Sequence, residues 1–185
     1  MKFIAADIPG VVIVEPDVHR DARGFFLESH HQRKYREGGI DATFVQDNHS
    51  RSRRGTLRGL HLQLEPHLQG KLVRALRGSV WDVCVDVRVG SPTFGRSVAV
   101  TLDDEAHRQI YVPPGLAHGF VVTSEEAEIE YKCTDYYAPQ SELGIAWDDP
   151  ELAIAWPVRE PVLSAKDARA PRLAEVRDRL PRFRG

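Results

Sequence analysis

The feature that most restricts this chain is the shortness of its apolar runs and the regularity with which glycine and proline interrupt them. Apolar or alternating stretches fall at residues 10–14, 25–28, 57–64, 71–76, 80–89, 97–102, 109–112, 120–123 and 128–134. Turn chemistry separates them, at Asp21-Ala22-Arg23-Gly24, Arg77-Gly78, Val89-Gly90-Ser91-Pro92 and Pro113-Pro114-Gly115. Runs of this length suit strands better than helices, and many of them at this spacing predict an antiparallel sandwich or barrel. Helix signals are confined to 32–38, a turn near 104–107, and the end of the chain. There Pro171 and Pro181 leave room for one short helix. A chain of 185 residues holds one domain with a substantial core. The expectation is therefore a single all-β domain over 1–185, with 165–185 as a C-terminal tail.

Charge narrows the function. The 25 basic and 27 acidic side chains leave a formal charge of -2, whereas a nucleic-acid or membrane-surface protein is expected to carry an excess of positive charge. A local basic pocket for a small anion remains compatible with that balance. No window approaches the apolar length of a membrane span. The first residues meet Asp7 before any long apolar core develops, which is not the pattern of a secretion signal, so a cytoplasmic protein is expected. Cys84 and Cys133 lack zinc-ligand spacing and are expected to be reduced and buried.

Alternation assigns faces. In Ile129-Glu130-Tyr131-Lys132-Cys133 the charged pair shares one side, so Tyr131 points inward with Ile129 and Cys133. Over 80–88, Trp81, Val83, Val85 and Val87 alternate with Asp82, Cys84 and Asp86. That pattern fits either a half-exposed strand or one lining a polar pocket. In Leu57-Arg58-Gly59-Leu60-His61-Leu62-Gln63, His61 and Gln63 stand together, away from Leu60 and Leu62, facing either water or a cavity.

Pro113-Pro114-Gly115-Leu116-Ala117-His118-Gly119 delivers a histidine from a rigid turn into a strand and looks like the second half of the cupin signature. The first half requires His-x-His and a nearby Glu. Here the matching stretch reads His61-Leu62-Gln63, with His67 or Leu68 at the acid position. The scaffold resembles a cupin while the metal-binding set of a cupin oxygenase is incomplete. Two clusters, 21–26 and 46–51, supply arginine, amide and aromatic groups that suit phosphate and base recognition on loops.

Taken in order, these stretches are similar to the dTDP-4-dehydrorhamnose 3,5-epimerase family. The resemblance rests on Arg23-Gly24-Phe25-Phe26-x-Glu28, Gln46-Asp47-Asn48-His49-Ser50, Leu57-Arg58-Gly59-Leu60-His61 and Gly70-Lys71-Leu72-Val73. It continues through Pro114-Gly115-x-x-His118-Gly119-Phe120, Tyr131-Lys132-Cys133-Thr134-Asp135-Tyr136-Tyr137 and Leu163-Ser164-x-Lys166-Asp167. It covers roughly residues 3–170. The resemblance implies a cupin-like jelly-roll (double-stranded β-helix) with a few short peripheral helices, no metal, no cofactor, and a homodimer that exchanges N-terminal strands. It also implies a dTDP-4-keto-6-deoxyhexose substrate, dTDP-4-dehydro-6-deoxy-D-glucose, inverted at carbons 3 and 5.

By the same resemblance His61 is the base and Asp167 the carboxylate that orients it. Tyr131 is the acid on the opposite face, and Lys71 stabilises the enolate oxygen. Arg58 and His118 line the sugar end, with Asp82 set to orient His118. Arg23, Phe26, Glu28, Gln46, Asn48 and Tyr137 match positions near the diphosphate and thymidine, some of them serving the neighbouring subunit. Lys166 has no assigned role. Two rival readings stand beside it: an epimerase that inverts carbon 3 alone with the same base and acid, and a catalytically silent sugar-nucleotide-binding cupin, which would need the pocket without the dyad, whereas His61, Asp167, Tyr131 and Lys71 are all present.

Overall fold

The computed structural model describes residues 1–184. The chain opens with β1 (Lys2–Ala5) and β2 (Val12–Glu15), then a hairpin of β3 (Val18–Asp21) and β4 (Gly24–Leu27), and the short helix α1 (Gln32–Glu37). The main strands follow: β5 (Gln46–Arg53), β6 (Leu57–Gln63), β7 (Lys71–Arg77), β8 (Ser79–Asp86) and β9 (Ser97–Asp103). Next come β10 (Gln109–Val112), β11 (Leu116–Val122), β12 (Glu126–Cys133) and β13 (Glu142–Gly144), and later the single turn of α2 (Leu173–Val176). One sheet runs β1-β2-β10-β7-β12-β5, and the other β13-β6-β11-β8-β9. Their ladders are antiparallel, the arrangement of a cupin-like jelly roll.

The alternating side chains sort into layers. Val73, Ala75 and Ile129 from one sheet meet Val80, Cys84, Leu116, Phe120 and Val122 from the other. The opposite stripe of β8, Val83, Val85 and Val87 with Trp81 beside them, packs instead beneath Leu152, Leu173, Val176 and Leu180. The polar side of β8, Asp82 with Cys84 and Asp86, therefore faces inward, and the strand is not half-exposed; it lines neither lobe of the cavity described below, and Asp82 reaches that cavity only through its contact with His118. On the other flank, Tyr35 of α1 is fully buried against Val12, Val14, Ile40 and Leu72.

The segment after residue 165 lies on the sandwich. Val89 N–H donates to the Pro181 carbonyl at 2.8 Å, and Phe183 N–H donates to the Val89 carbonyl at 3.0 Å. Leu173 is 1% exposed, and burial of such a side chain contributes about 1.5–3 kcal/mol.

Residues 46–51, expected as loop, form part of β5. The strand was hidden because neither face is apolar. Asp47, His49 and Arg51 point outward to Lys132, Glu128 and Glu126, while Gln46 and Asn48 line a polar cavity. Strands β1, β3 and β13 were likewise not foreseen; each is four residues or fewer.

One irregularity positions the site. His118 of β11 is paired with His61, and Phe120 with Arg58, so two steps along β11 match three along β6. The extra residue is a β-bulge at Gly59-Leu60. A Cβ on Gly59 (φ 134°) would lie 2.6 Å from the Gly119 Cα, and one on Gly119 would lie 2.8 Å from the Arg58 carbonyl oxygen. The strands approach this closely only because both positions are glycine.

Candidate active site

Toward one end of the sandwich the inner faces become polar and part into two lobes. One has a volume of about 400 Å³ and is lined by Arg58, His118 and Asp167 among others. The second, of about 290 Å³, is bordered by Gln46, Asn48, Gln63, Tyr137 and Glu142. His61, Lys71 and Tyr131 line both lobes and mark their junction. They come from β6, β7 and β12, strands whose alternation aims these side chains inward. The bulge brings Arg58, three residues from His61 and so on the other face of a regular strand, to the same cavity.

His61 Nε2 lies 2.5 Å from Asp167 Oδ1. The carboxylate is 5% exposed and the imidazole 27%. Ser164 Oγ donates to Asp167 Oδ2 at 2.8 Å and accepts the Asp167 N–H at 3.1 Å, which fixes the carboxylate. Burial pushes the Asp167 pKa up, but the hydrogen bond and charge of His61, with Ser164 and Lys166, hold it below the ordinary carboxylate value. An ionised Asp167 accepts the Nε2–H, so the lone pair sits on Nδ1. The ring is thereby set up as a base with a partner for the positive charge it acquires.

Lys71 reaches the junction with its ammonium 6.0 Å from the centre of the Tyr131 ring. The residue is partly accessible through the cavity, yet protein surrounds the ammonium. That burial pushes its pKa down, against the opposing influence of Cys133, Glu142 and Asp82. Tyr131 is shifted upward, first by burial and then by Cys133, with Arg58 acting in the opposite sense. Its phenol therefore keeps its proton well past neutrality and is available as a donor. Deeper in, His118 Nε2 lies 3.0 and 2.9 Å from the two oxygens of the fully buried Asp82. Arg58 Nε donates to Ser52 Oγ at 3.0 Å.

In the second lobe Gln46 Nε2 donates to Asn48 Oδ1 at 3.1 Å, and Tyr137 N–H donates to Gln46 Oε1 at 2.9 Å. Glu142, which sequence reasoning missed, gathers this rim. It accepts the Tyr137 hydroxyl at 2.8 Å and pairs with Lys166 through the same oxygen. Burial raises its pKa, but the Lys166 and Tyr137 hydrogen bonds outweigh that and keep it low. Only its place on the three-residue β13, beside β6, signals its proximity to His61. Ser164, which steadies the Asp167 carboxylate, is visible in the sequence only as part of the Leu163-Ser164-x-Lys166-Asp167 stretch.

Arg23, Phe26 and Glu28 line neither lobe. Arg23 is held by Asp21 and Glu28 by Lys34, and Phe26 is 70% exposed on the β3–β4 hairpin. Within one chain the structure brings together His61, Asp167, Tyr131, Lys71, Arg58, His118, Gln46, Asn48 and Tyr137, but not these three. Among the described residues no group of three or more His, Cys, Asp or Glu side chains is arranged to hold a metal ion.

A histidine backed by a carboxylate, a phenol that stays protonated and an ammonium at the same junction, all in the polar mouth of a jelly roll, define an isomerase that works by moving protons, an epimerase. Comparison with known proteins gives the particular family. The family model for dTDP-4-dehydrorhamnose 3,5-epimerase matches residues 5–175, and the chain belongs to that family. It is 54% identical over 178 residues to the dTDP-4-dehydrorhamnose 3,5-epimerase of Pseudomonas aeruginosa, covering 95% of this chain and 98% of the relative. The Legionella pneumophila dTDP-6-deoxy-D-glucose-3,5-epimerase, solved with dTDP-4-keto-L-rhamnose, superimposes with a TM-score of 0.95 at 51% identity, covering 100% and 99% of the two chains. A 3'-monoepimerase from Streptomyces bikiniensis in complex with dTDP-quinovose shares the fold at TM-score 0.90 and 39% identity, over 96% and 91% of the chains.

Proposed function

We propose that this protein converts dTDP-4-dehydro-6-deoxy-D-glucose to dTDP-4-dehydro-L-rhamnose by inverting carbons 3 and 5. The observation that carries the reading is the junction of the two lobes, where the three groups the chemistry requires face one space and a buried carboxylate backs the base. The ketone at carbon 4 acidifies the hydrogens on carbons 3 and 5. His61 Nδ1 takes one such proton, and the C–H electron pair moves onto the carbonyl oxygen as an enolate beside the Lys71 ammonium. The Tyr131 hydroxyl then delivers a proton to the opposite face of the same carbon, and the electron pair returns from oxygen. Imidazolium and phenolate recover their starting states by exchange with water. Acid–base catalysis of this kind contributes about 10²–10⁴-fold, and an electrostatic donor at the oxygen about 10²–10³-fold.

The sugar occupies the lobe that holds Arg58 and His118, and the nucleotide runs along Gln46, Asn48 and Tyr137. The active unit is a homodimer in which the hairpin's Arg23 and Phe26, with Glu28, complete the nucleotide site of the other subunit. In support, all three lie outside their own chain's cavity, and Phe25 and Phe26 are 55% and 70% exposed. The bidentate reach of an arginine and the flat face of a phenylalanine suit diphosphate and base.

Incubating the protein with dTDP-4-keto-6-deoxyglucose in heavy water tests the assignment. Deuterium at carbons 3 and 5, with the L-sugar trapped by a reductase, is expected. Exchange and inversion at carbon 3 alone would place the protein with the monoepimerases. Nucleotide binding without any exchange would make it a binding module.

A further inference from the structure

The β3–β4 hairpin stands apart from both sheets. It forms its own two-stranded ladder and, among the described residues, pairs with no strand of the sandwich. Its exit is fixed at Ser29, whose carbonyl accepts the Tyr35 hydroxyl at 2.8 Å and Gln109 Nε2 at 2.9 Å. Farther along, two side chains tie the hairpin to the turn between β9 and β10. Arg20 Nη2 donates to the Glu105 carbonyl at 2.9 Å, and the Phe25 ring lies on His107 with centroids 4.5 Å apart and planes at 35°. Arg20 also sits 5.7 Å from the centre of the same Phe25 ring, so the two ties meet.

His107 is unusual in three respects. Its backbone is left-handed, at φ 54°, which a non-glycine residue adopts at a cost. The residue is 8% exposed. Its Nε2 is buried without a hydrogen-bond partner among the described residues, although buried polar atoms are nearly always satisfied. The turn itself is built to present the ring: the Asp103 carboxylate accepts the N–H groups of Glu105 and Ala106 at 3.0 and 2.7 Å, and His107 N–H donates to the Asp103 carbonyl at 3.1 Å. An imidazole kept in a strained, unsatisfied position contributes its flat face, and that face is covered by Phe25.

We propose that His107 is the seat of the hairpin, a positioning residue that acts through Phe25 to set Arg23 and Phe26 for nucleotide binding. The inference rests on the reading that those two residues contact the nucleotide. It places a determinant of substrate affinity on the β9–β10 turn, outside both lobes of the cavity. The rate of proton transfer, set by His61, Tyr131 and Lys71, does not depend on it.

Steady-state kinetics of full-length His107→Asn, His107→Phe and Phe25→Ala provide the test. Asparagine tolerates the left-handed backbone but removes the ring, whereas phenylalanine restores a ring without the unsatisfied nitrogen. His107→Asn and Phe25→Ala are each expected to raise KM for the dTDP-sugar about three- to tenfold, the range to which the coupling of an aromatic pair converts. Their kcat stays within about twofold of the starting value, which also shows that the variants fold. The double variant is expected to be no worse than either single one, and His107→Phe to return KM to the starting value. A normal KM in His107→Asn, alongside a raised KM in Arg23→Ala, would overturn the seat. A normal KM in Arg23→Ala would instead overturn the hairpin's nucleotide role, and the proposal with it.

Discussion

Replacing Asp167 with asparagine removes one charge from the base's partner and leaves its shape. In the native site the carboxylate oxygen is 2.5 Å from His61 Nε2 and 5% exposed, so the charges formed during proton removal sit close together and away from bulk water. Two unit charges about 4 Å apart interact by about 4 kcal/mol at an effective dielectric of about 20. Part of that attraction is already present between the carboxylate and the neutral ring's N–H, so the loss specific to the transition state is about 3 kcal/mol. At about 1.4 kcal/mol per tenfold, kcat should fall about 10²-fold. The asparagine amide also presents N–H groups toward Nε2, favouring the tautomer with its proton on Nδ1, and this adds up to another tenfold or more. Deuterium wash-in at carbons 3 and 5 should slow in step with kcat, while the dissociation constant for dTDP stays the same. An Asp167→Asn enzyme that exchanges protons within threefold of the native rate would refute the idea that His61 depends on this carboxylate.

Tyr131→Phe should separate proton removal from inversion: wash-in continues, while L-product formation falls about 10²-fold or more, as NMR of the recovered sugar would show. On the alkaline side burial lowers the Lys71 pKa and raises that of Tyr131, so loss of the Lys71 proton is expected to set the alkaline limb of kcat. Lys71→Arg, which stays charged, should lower kcat yet move that limb to higher pH; an unmoved limb would assign it to another group. Lys71→Ala should cost about 10²–10³-fold in kcat at neutral pH, with dTDP affinity retained. In Gly119→Ala the new methyl lies 2.8 Å from the Arg58 carbonyl oxygen. Overpacking of this kind costs about 1–3 kcal/mol and should lower Tm by several degrees in calorimetry, with kcat falling as Arg58 and His61 lose register.

Much of the site was legible because its strands alternate cleanly. Tyr131 was placed inward from Glu130 and Lys132 alone, and β12 bears that out. For β8 the pattern gave two faces but not that both are buried, since the cover over Trp81, Val83, Val85 and Val87 comes from residues 152–180, far along the chain. Arg58 shows the limit more sharply. Simple alternation puts it opposite His61, and only the bulge, a property of the pairing with β11, brings both to one cavity. Strand β5 escaped notice because it borders a wet cavity on one side and an ion-pair belt on the other. Glu142 escaped because its importance comes from Lys166 and Tyr137, neither of which lies on its own strand.

The docked C-terminal segment has a consequence in time. His61 is made early and Asp167 106 positions later, on a segment whose neighbours Leu173, Val176 and Leu180 close the outer side of the very sheet that carries the histidine. As the chain emerges from the ribosome, both sheets can pair while Leu60, Leu62 and Val83 still lack their cover and His61 lacks its counter-charge. The same docking event that seals the sheet also completes the base. Until that segment docks, the chain lacks the carboxylate that meets His61, so on the proposed mechanism the capacity to abstract protons arrives last, as a sign that folding has finished.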